Sequence, residues 1–179
     1  MANLVLVVDV VVGFMEPGRN LYTGDNARQI IPNIRRLIEK EQANGSSVIF
    51  VCDTHDPDDL EFEMFPVHCV KGTDECEIIP ELTEYRGDTL RKRRYSAFFE
   101  TDLEHRLSEL KPEKIVICGV CTDICVMHTA ADARNRDYAV EVPVDCVASF
   151  DDDAHRYALQ HMERILGVNI VEPAPTEGA

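Results

Sequence analysis

The chain has 179 residues, 45% of them hydrophobic, with 33 acidic against 18 basic side chains and a formal net charge of −15. That length reads as one domain, residues 1–179, able to bury a substantial core, and the composition excludes an intrinsically disordered chain. The acidic balance argues against nucleic acid and anionic membrane as partners, and no apolar run approaches the roughly 20 residues that span a bilayer.

Leu4–Val8 is an unbroken apolar run, the pattern of a strand buried on both faces. Only Met1-Ala2-Asn3 precede it, with no basic region or cleavage site for export, so the expected location is cytoplasmic. Asn26–Ala43 places Ile30, Ile31, Ile34, Leu37 and Ile38 at helical spacing and stops at Asn44-Gly45. Ser47–Val51 is a second buried strand. The segment from 53 to 76, rich in Asp, Glu, Pro and His, reads as a long irregular loop, and such loops in compact domains are usually functional.

Further along, Glu77–Leu82 reads as a short helical turn and Asp88–Arg91 as a strand. Helix Asp102–Leu110, strand Lys114–Cys118, helix Asp123–Asn135 and strand Tyr138–Val142 follow. Helix Asp151–Leu166 and strand Val168–Val171 complete a core of about 3–171, with 172–179 as a frayed tail. Strands alternating with helices imply an α/β fold, a single-domain, doubly wound parallel sheet flanked by helices. Ligands in such folds bind beyond the carboxyl ends of the strands.

Four chemically capable groups fall at such ends. Asp9 closes the first strand before apolar Val10, Val11 and Val12; it suits a general base beside a desolvated pocket, or a cap or structural ion pair. Lys92 follows the third strand within Arg91-Lys92-Arg93-Arg94. It suits an electrostatic partner that holds a thiolate and a carboxylate charged, or part of a solvated basic patch. Cys125 follows the run Ile115–Val120 and falls in or near the first turn of the next helix. Unpaired N–H groups and the dipole there favour a thiolate; the alternative is a buried Cys packed on the sheet.

Asp53-Thr54-His55, with Glu61 and His68 in the loop beyond, offers two imidazoles and two carboxylates. That mixture suits one divalent Zn, Mn or Fe ion, or else it is an acidic loop with incidental histidines. Asp56, Asp58, Asp59 and Glu63 are spare carboxylates nearby. The seven cysteines are an odd number, several within or beside strands (Cys52, Cys118, Cys146). They read as small hydrophobes in a reducing compartment, and Cys121 with Cys125 lacks the second pair of a zinc–thiolate site.

Taken together these residues resemble the isochorismatase-like cysteine hydrolases, and within them the nicotinamidases (pyrazinamidases), from Asp9 to about Val171. The motifs are Val-Asp-Val…Phe14, Asp53-x-His55, Phe-Pro-x-His-Cys-x-x-Gly-Thr at 65–73, Lys92-x-x-Tyr-Ser-Ala-Phe, and Gly-Val-x-Thr-Asp-x-Cys-Val at 119–126. The resemblance implies Cys125 as nucleophile, Asp9 as proton shuttle and Lys92 as their electrostatic partner. It implies metal ligands at Asp53, His55 and His68 with Glu61 as a fourth, and a pocket bordered by Phe14 and Tyr95. It also implies a cis peptide between Val120 and Cys121, with an oxyanion hole from the N–H groups of Cys121 and Cys125.

The activity so implied is hydrolysis of nicotinamide to nicotinic acid and ammonia through a thioester, in a homo-oligomer (dimer or tetramer) that uses a metal to orient the ring. The alternative within the family is an amidohydrolase acting on a carbamoyl or ureido compound; such relatives generally lack the Asp-His-His set. A different class is a non-catalytic or redox-sensing thiol protein, given Cys69, Cys121 and Cys125. One departure stands out: Val11, Val12 and Gly13 replace polar residues common among relatives, which bears on substrate preference.

Overall fold

The computed structural model describes residues 2–173. Strands β1 (Leu4–Val8), β2 (Ser47–Asp53), β3 (Asp88–Lys92), β4 (Ile115–Val120), β5 (Val140–Pro143), β6 (Val147–Ala148) and β7 (Asn169–Val171) make one sheet. Its order is β3-β2-β1-β4-β5-β7, with β6 beside β4, and every pairing is parallel. Residues of β1 are at most 1% exposed. Alternate side chains feed two cores: Val5 and Val7 pack with Ile34, Ile38 and Phe50 on one face, and Leu4, Leu6 and Val8 with Leu103, Leu107 and Ala130 on the other. That two-sided burial is why the strand reads as a continuous apolar run.

The helices are α1 (Val12–Met15), α2 (Asp25–Arg28), α3 (Ile31–Ala43), α4 (Leu103–Leu110), α5 (Met127–Arg134) and α6 (Asp152–His161). The single helix expected over 26–43 is broken in two. Pro32 has no N–H to donate, and its ring would meet the carbonyl of residue 28, so the chain makes a separate turn before α3 starts. The stop lies where expected, with Gly45 at φ 82° just past the helix. The helices expected over 123–135 and 151–166 each contain a wider π-helical turn, at Thr122–Val126 and Met162–Leu166.

β6 has only two residues, too few for any periodicity, and goes unread in the sequence. It pairs with Gly119 and Val120 at the end of β4, while β5 pairs with Ile115 and Val116 at its beginning. The 53–76 loop carries two short 3₁₀ turns, Leu60–Glu63 and Asp74–Cys76. It closes on itself where His55 N donates to Cys69 O at 2.8 Å and Lys71 N to His55 O at 2.8 Å, and Thr54 N ties it to the sheet at Lys92 O, 2.7 Å away. Of the expected frayed tail, residues 174–179 lie outside the described residues.

Register gathers the candidate groups. Val8 is level with Val51 on one side and Gly119 on the other, and Asp53 is level with Lys92. Asp9, Asp53, Lys92 and the Cys121–Cys125 turn therefore leave the sheet along a single edge. Gly119 makes the close approach possible: at φ 112°, a Cβ there would stand 2.0 Å from Val8 O.

Candidate active site

Asp9 begins just where β1 ends, in left-handed backbone (φ 53°), which Asp tolerates better than most residues. Its carboxylate is fully buried. Oδ1 accepts from Asp53 N at 2.9 Å, and Oδ2 lies 2.9 Å from Lys92 Nζ. That second contact is an ion pair between two fully buried groups. Lys92 Nζ also donates to Asp53 Oδ1 at 2.8 Å and to Cys125 Sγ at 3.5 Å. One ammonium thus joins two carboxylates and a thiol with its side chain wholly out of solvent.

Burial sets the resting protonation of this group. It raises the Asp9 carboxyl to about 6 against the pull of Lys92. Burial opposes charge on Lys92 too, but Asp53 and Asp9 overcome it and hold the ammonium well above its ordinary range. Burial likewise pushes the Cys125 thiol up, more than Lys92 can pull it down. A thiol so raised stands beside a carboxylate able to take its proton.

On the other side of Asp53 stands the second cluster. One ligand atom each from Asp53, His55, Glu61 and His68 falls within 4.8 Å of the others, and all four residues are buried. Asp53 Oδ2 is 2.8 Å from His55 Nε2 and 3.3 Å from His68 Nε2, while Glu61 Oε1 is 3.9 and 4.0 Å from the same two nitrogens. Both rings are committed at Nδ1, His55 to Asp59 Oδ2 at 3.1 Å and His68 to Pro66 O at 2.7 Å, so both present Nε2 inward. Glu61 Oε2 is buried without a hydrogen-bond partner. A buried carboxylate whose Oε1 faces two inward imidazoles, beside a second carboxylate from Asp53, fits a divalent cation. Asp56, Asp58 and Glu63 are exposed and outside the cluster, and Asp59 is turned to the far side of His55.

Both clusters open onto a cavity bordered on its polar side by Asp9, Asp53, Glu61, His68, Cys121 and Cys125. Phe14 and Tyr95 border it; His55 does not. Phe14 meets the His68 ring edge-on at 5.6 Å. Leu21, Phe65, Val120, Ile124 and Phe150 complete the apolar lining; Leu21, Ile124 and Phe150 carry no chemical signal that a sequence could show. The Val120–Cys121 peptide is cis.

Val11, Val12 and Gly13 do not border the cavity. Val11 bridges to Ile78, Val12 N donates to Glu77 O at 2.9 Å, and a Cβ on Gly13 would stand 2.8 Å from Cys69 Sγ. Those replacements serve packing against the 69–79 segment. The basic run is also spent internally: Arg91 pairs with Glu77, Lys92 is buried, Arg93 pairs with Glu100 and Arg94 with Asp59. It forms no free cationic patch. All seven cysteines are free and buried. Cys118 and Cys121 stand in a Cys-x-x-Cys spacing, but Cys118 Sγ faces Leu6 O inside the sheet. No helix among the described residues is long and apolar enough to cross a membrane.

Comparison with known proteins agrees with this architecture. The isochorismatase domain matches residues 3–171. A pyrazinamidase/nicotinamidase from Streptococcus mutans UA159 is 35% identical, with a TM-score of 0.89 over 95% of this chain and 100% of that one. N-carbamoylsarcosine amidase from Thermoplasma acidophilum is 33% identical, with a TM-score of 0.86 over 99% of this chain and 100% of that one. A pyrazinamidase of Pyrococcus horikoshii in complex with zinc is 29% identical, with a TM-score of 0.88 over 97% of this chain and 100% of that one. A domain match across almost the whole length, on a sheet of the same architecture, means that the chain belongs to the isochorismatase family of hydrolases, which includes amidases.

Proposed function

We propose that this protein is a nicotinamidase that hydrolyses nicotinamide to nicotinic acid and ammonia. The observation that carries this reading is the meeting of two clusters in one cavity: an Asp–Lys–Cys set and an Asp-His-Glu-His set, joined through Asp53. A divalent ion (zinc, manganese or iron) held by Asp53, His55, Glu61 and His68 would bind the pyridine nitrogen and so fix the orientation of the ring. Phe14 and Tyr95 border the same space and flank the ring.

Cys125 Sγ attacks the carboxamide carbon as its proton passes to Asp9 Oδ2. The carbonyl oxygen, now an oxyanion, is held by the N–H groups of Cys121 and Cys125. Asp9 returns the proton to the departing nitrogen, ammonia leaves, and a thioester remains on Cys125. Asp9 next takes a proton from water, the resulting hydroxide attacks the thioester, and the sulfur leaves and recovers that proton from Asp9. Throughout, Lys92 balances the charge shared among Asp9, Asp53 and sulfur, which explains why a cation is buried there at all.

The family alternative is an amidohydrolase of carbamoyl or ureido compounds, the reading favoured by the N-carbamoylsarcosine amidase likeness. Against it stands the Asp53-His55-Glu61-His68 set at the cavity, whose chemistry fits a divalent cation. Such an ion would give the ring nitrogen of a pyridine amide its partner. The deciding assay is ammonia release from nicotinamide by purified protein before and after chelation. The expected result is activity lost on chelation and restored by zinc, manganese or iron. Metal-replete protein that releases ammonia from carbamoyl amino acids and none from nicotinamide would overturn the assignment.

A further inference from the structure

Asp59 and Arg94 lie outside both clusters, yet their contacts are unusually directed. Asp59 Oδ2 faces His55 Nδ1 at 3.1 Å, and Asp59 Oδ1 accepts from Glu61 N at 2.9 Å. The Asp59 side chain is 4% exposed. Arg94 Nη1 reaches both Asp59 oxygens at 2.8 Å and lies 3.8 Å from Glu61 Oε2, the oxygen otherwise without a partner. One carboxylate thus orients the ring of His55 and caps the 3₁₀ turn that carries Glu61. Its own position is held by a guanidinium two residues beyond Lys92 and one before Tyr95.

We propose that Asp59 and Arg94 are positioning residues that set the metal affinity of this site, with Asp59 fixing two of its four ligands at once. A carboxylate on the far nitrogen of a ligating imidazole holds the tautomer with Nε2 free and makes that nitrogen more basic. The two histidines differ in this respect. His68 is held by a backbone carbonyl, Pro66 O, that no side-chain substitution removes; His55 depends on a side chain that can be changed. Arg94 meets both oxygens of that side chain through Nη1, balances its charge, and ties the 53–76 loop to the segment bearing Lys92 and Tyr95. The sequence marks Asp59 only as a spare ligand, and its place behind His55 gives it a different task.

This inference rests on the metal reading above and not on the identity of the amide. The test is competition of Zn²⁺ against a chromophoric chelator, on full-length protein first stripped of metal. Wild type is compared with Asp59→Ala, Asp59→Asn, Arg94→Met and the control Asp58→Asn, which removes an exposed charge from the same loop. The expected result is zinc affinity roughly 10–100-fold weaker for Asp59→Ala, a smaller loss for Asp59→Asn and Arg94→Met, and none for Asp58→Asn. Alkylation of Cys125 by iodoacetamide in the metal-free proteins should be unchanged, separating ligand positioning from general disruption. If Asp59→Ala does not fold, Asp59→Asn and Arg94→Met carry the test, since both preserve side-chain bulk. Wild-type affinity in the Asp59 and Arg94 variants, or an equal loss in Asp58→Asn, overturns the proposal while leaving the metal site standing. Absence of zinc binding by wild type overturns both.

Discussion

Replacing Lys92 by Met probes the joint between the two clusters while keeping most of the side-chain volume. Lys92 Nζ lies 2.8 Å from Asp53 Oδ1 and 2.9 Å from Asp9 Oδ2. At an effective dielectric of about 20, each contact is worth about 6 kcal/mol of bare attraction. Most of that is offset by desolvation of three buried ions, and cutting one partner from a buried pair typically costs about 3–5 kcal/mol. Metal-free Lys92→Met should therefore lose about 3–5 kcal/mol in urea unfolding at about pH 7.5.

The loss should shrink toward about pH 5. In the folded protein Asp9 already sits at about 6, above its ordinary 3.8, so the folded state binds more protons than the unfolded state between those values. Its destabilisation is present above that window and is relieved as the pH falls through it. Without Lys92 the Asp9 carboxyl moves higher still, so acid relieves the variant more than wild type. A loss under about 1 kcal/mol, the scale of an exposed pair, or a loss that grows toward acid, would refute a solvent-excluded ion network.

Three other outcomes are expected. Cys125→Ala should reduce ammonia release from nicotinamide by at least about 10³-fold with zinc affinity unchanged; residual turnover near wild type would remove the sulfur from the mechanism. Gly119→Ala should destabilise by on the order of 3 kcal/mol or more, because its Cβ meets Val8 O at 2.0 Å in a backbone region closed to alanine; chemical denaturation measures it, and a near-neutral change would contradict that packing. The kcat/KM for nicotinamide should fall as the pH drops through about 6, where Asp9 takes up a proton and can no longer accept the one on sulfur. A profile flat down to about pH 4.5 would exclude a base with so raised a pKa.

Much of this site is visible in the sequence because its chemistry sits at strand ends. Asp9, Asp53 and Cys125 each follow an apolar run, and a parallel sheet gathers such positions along one edge. That they touch is a matter of strand order, which neighbouring residues along the chain do not encode: β3 and β4 lie on opposite sides of the β1–β2 pair. The Val11–Gly13 departure points toward substrate preference when read along the chain, yet those residues pack against the 69–79 segment. Asp59 is hidden for another reason. Its partners are set by the path of an irregular loop, which has no period to read. Leu21, Ile124 and Phe150 are apolar residues that any core could use, and only folding makes them walls of a cavity.

The acidic balance of the chain has a consequence for turnover. Under the proposed reaction the substrate enters uncharged, indifferent to a chain of formal charge −15 and to the acidic groups around the cavity. Hydrolysis turns it into an anion in place. Lys92 and a bound divalent ion would balance the carboxylates inside the cavity, so it is the acidic chain as a whole that disfavours return of the released anion. Added salt should weaken this push without altering capture of the amide, leaving its mark on product inhibition and not on KM.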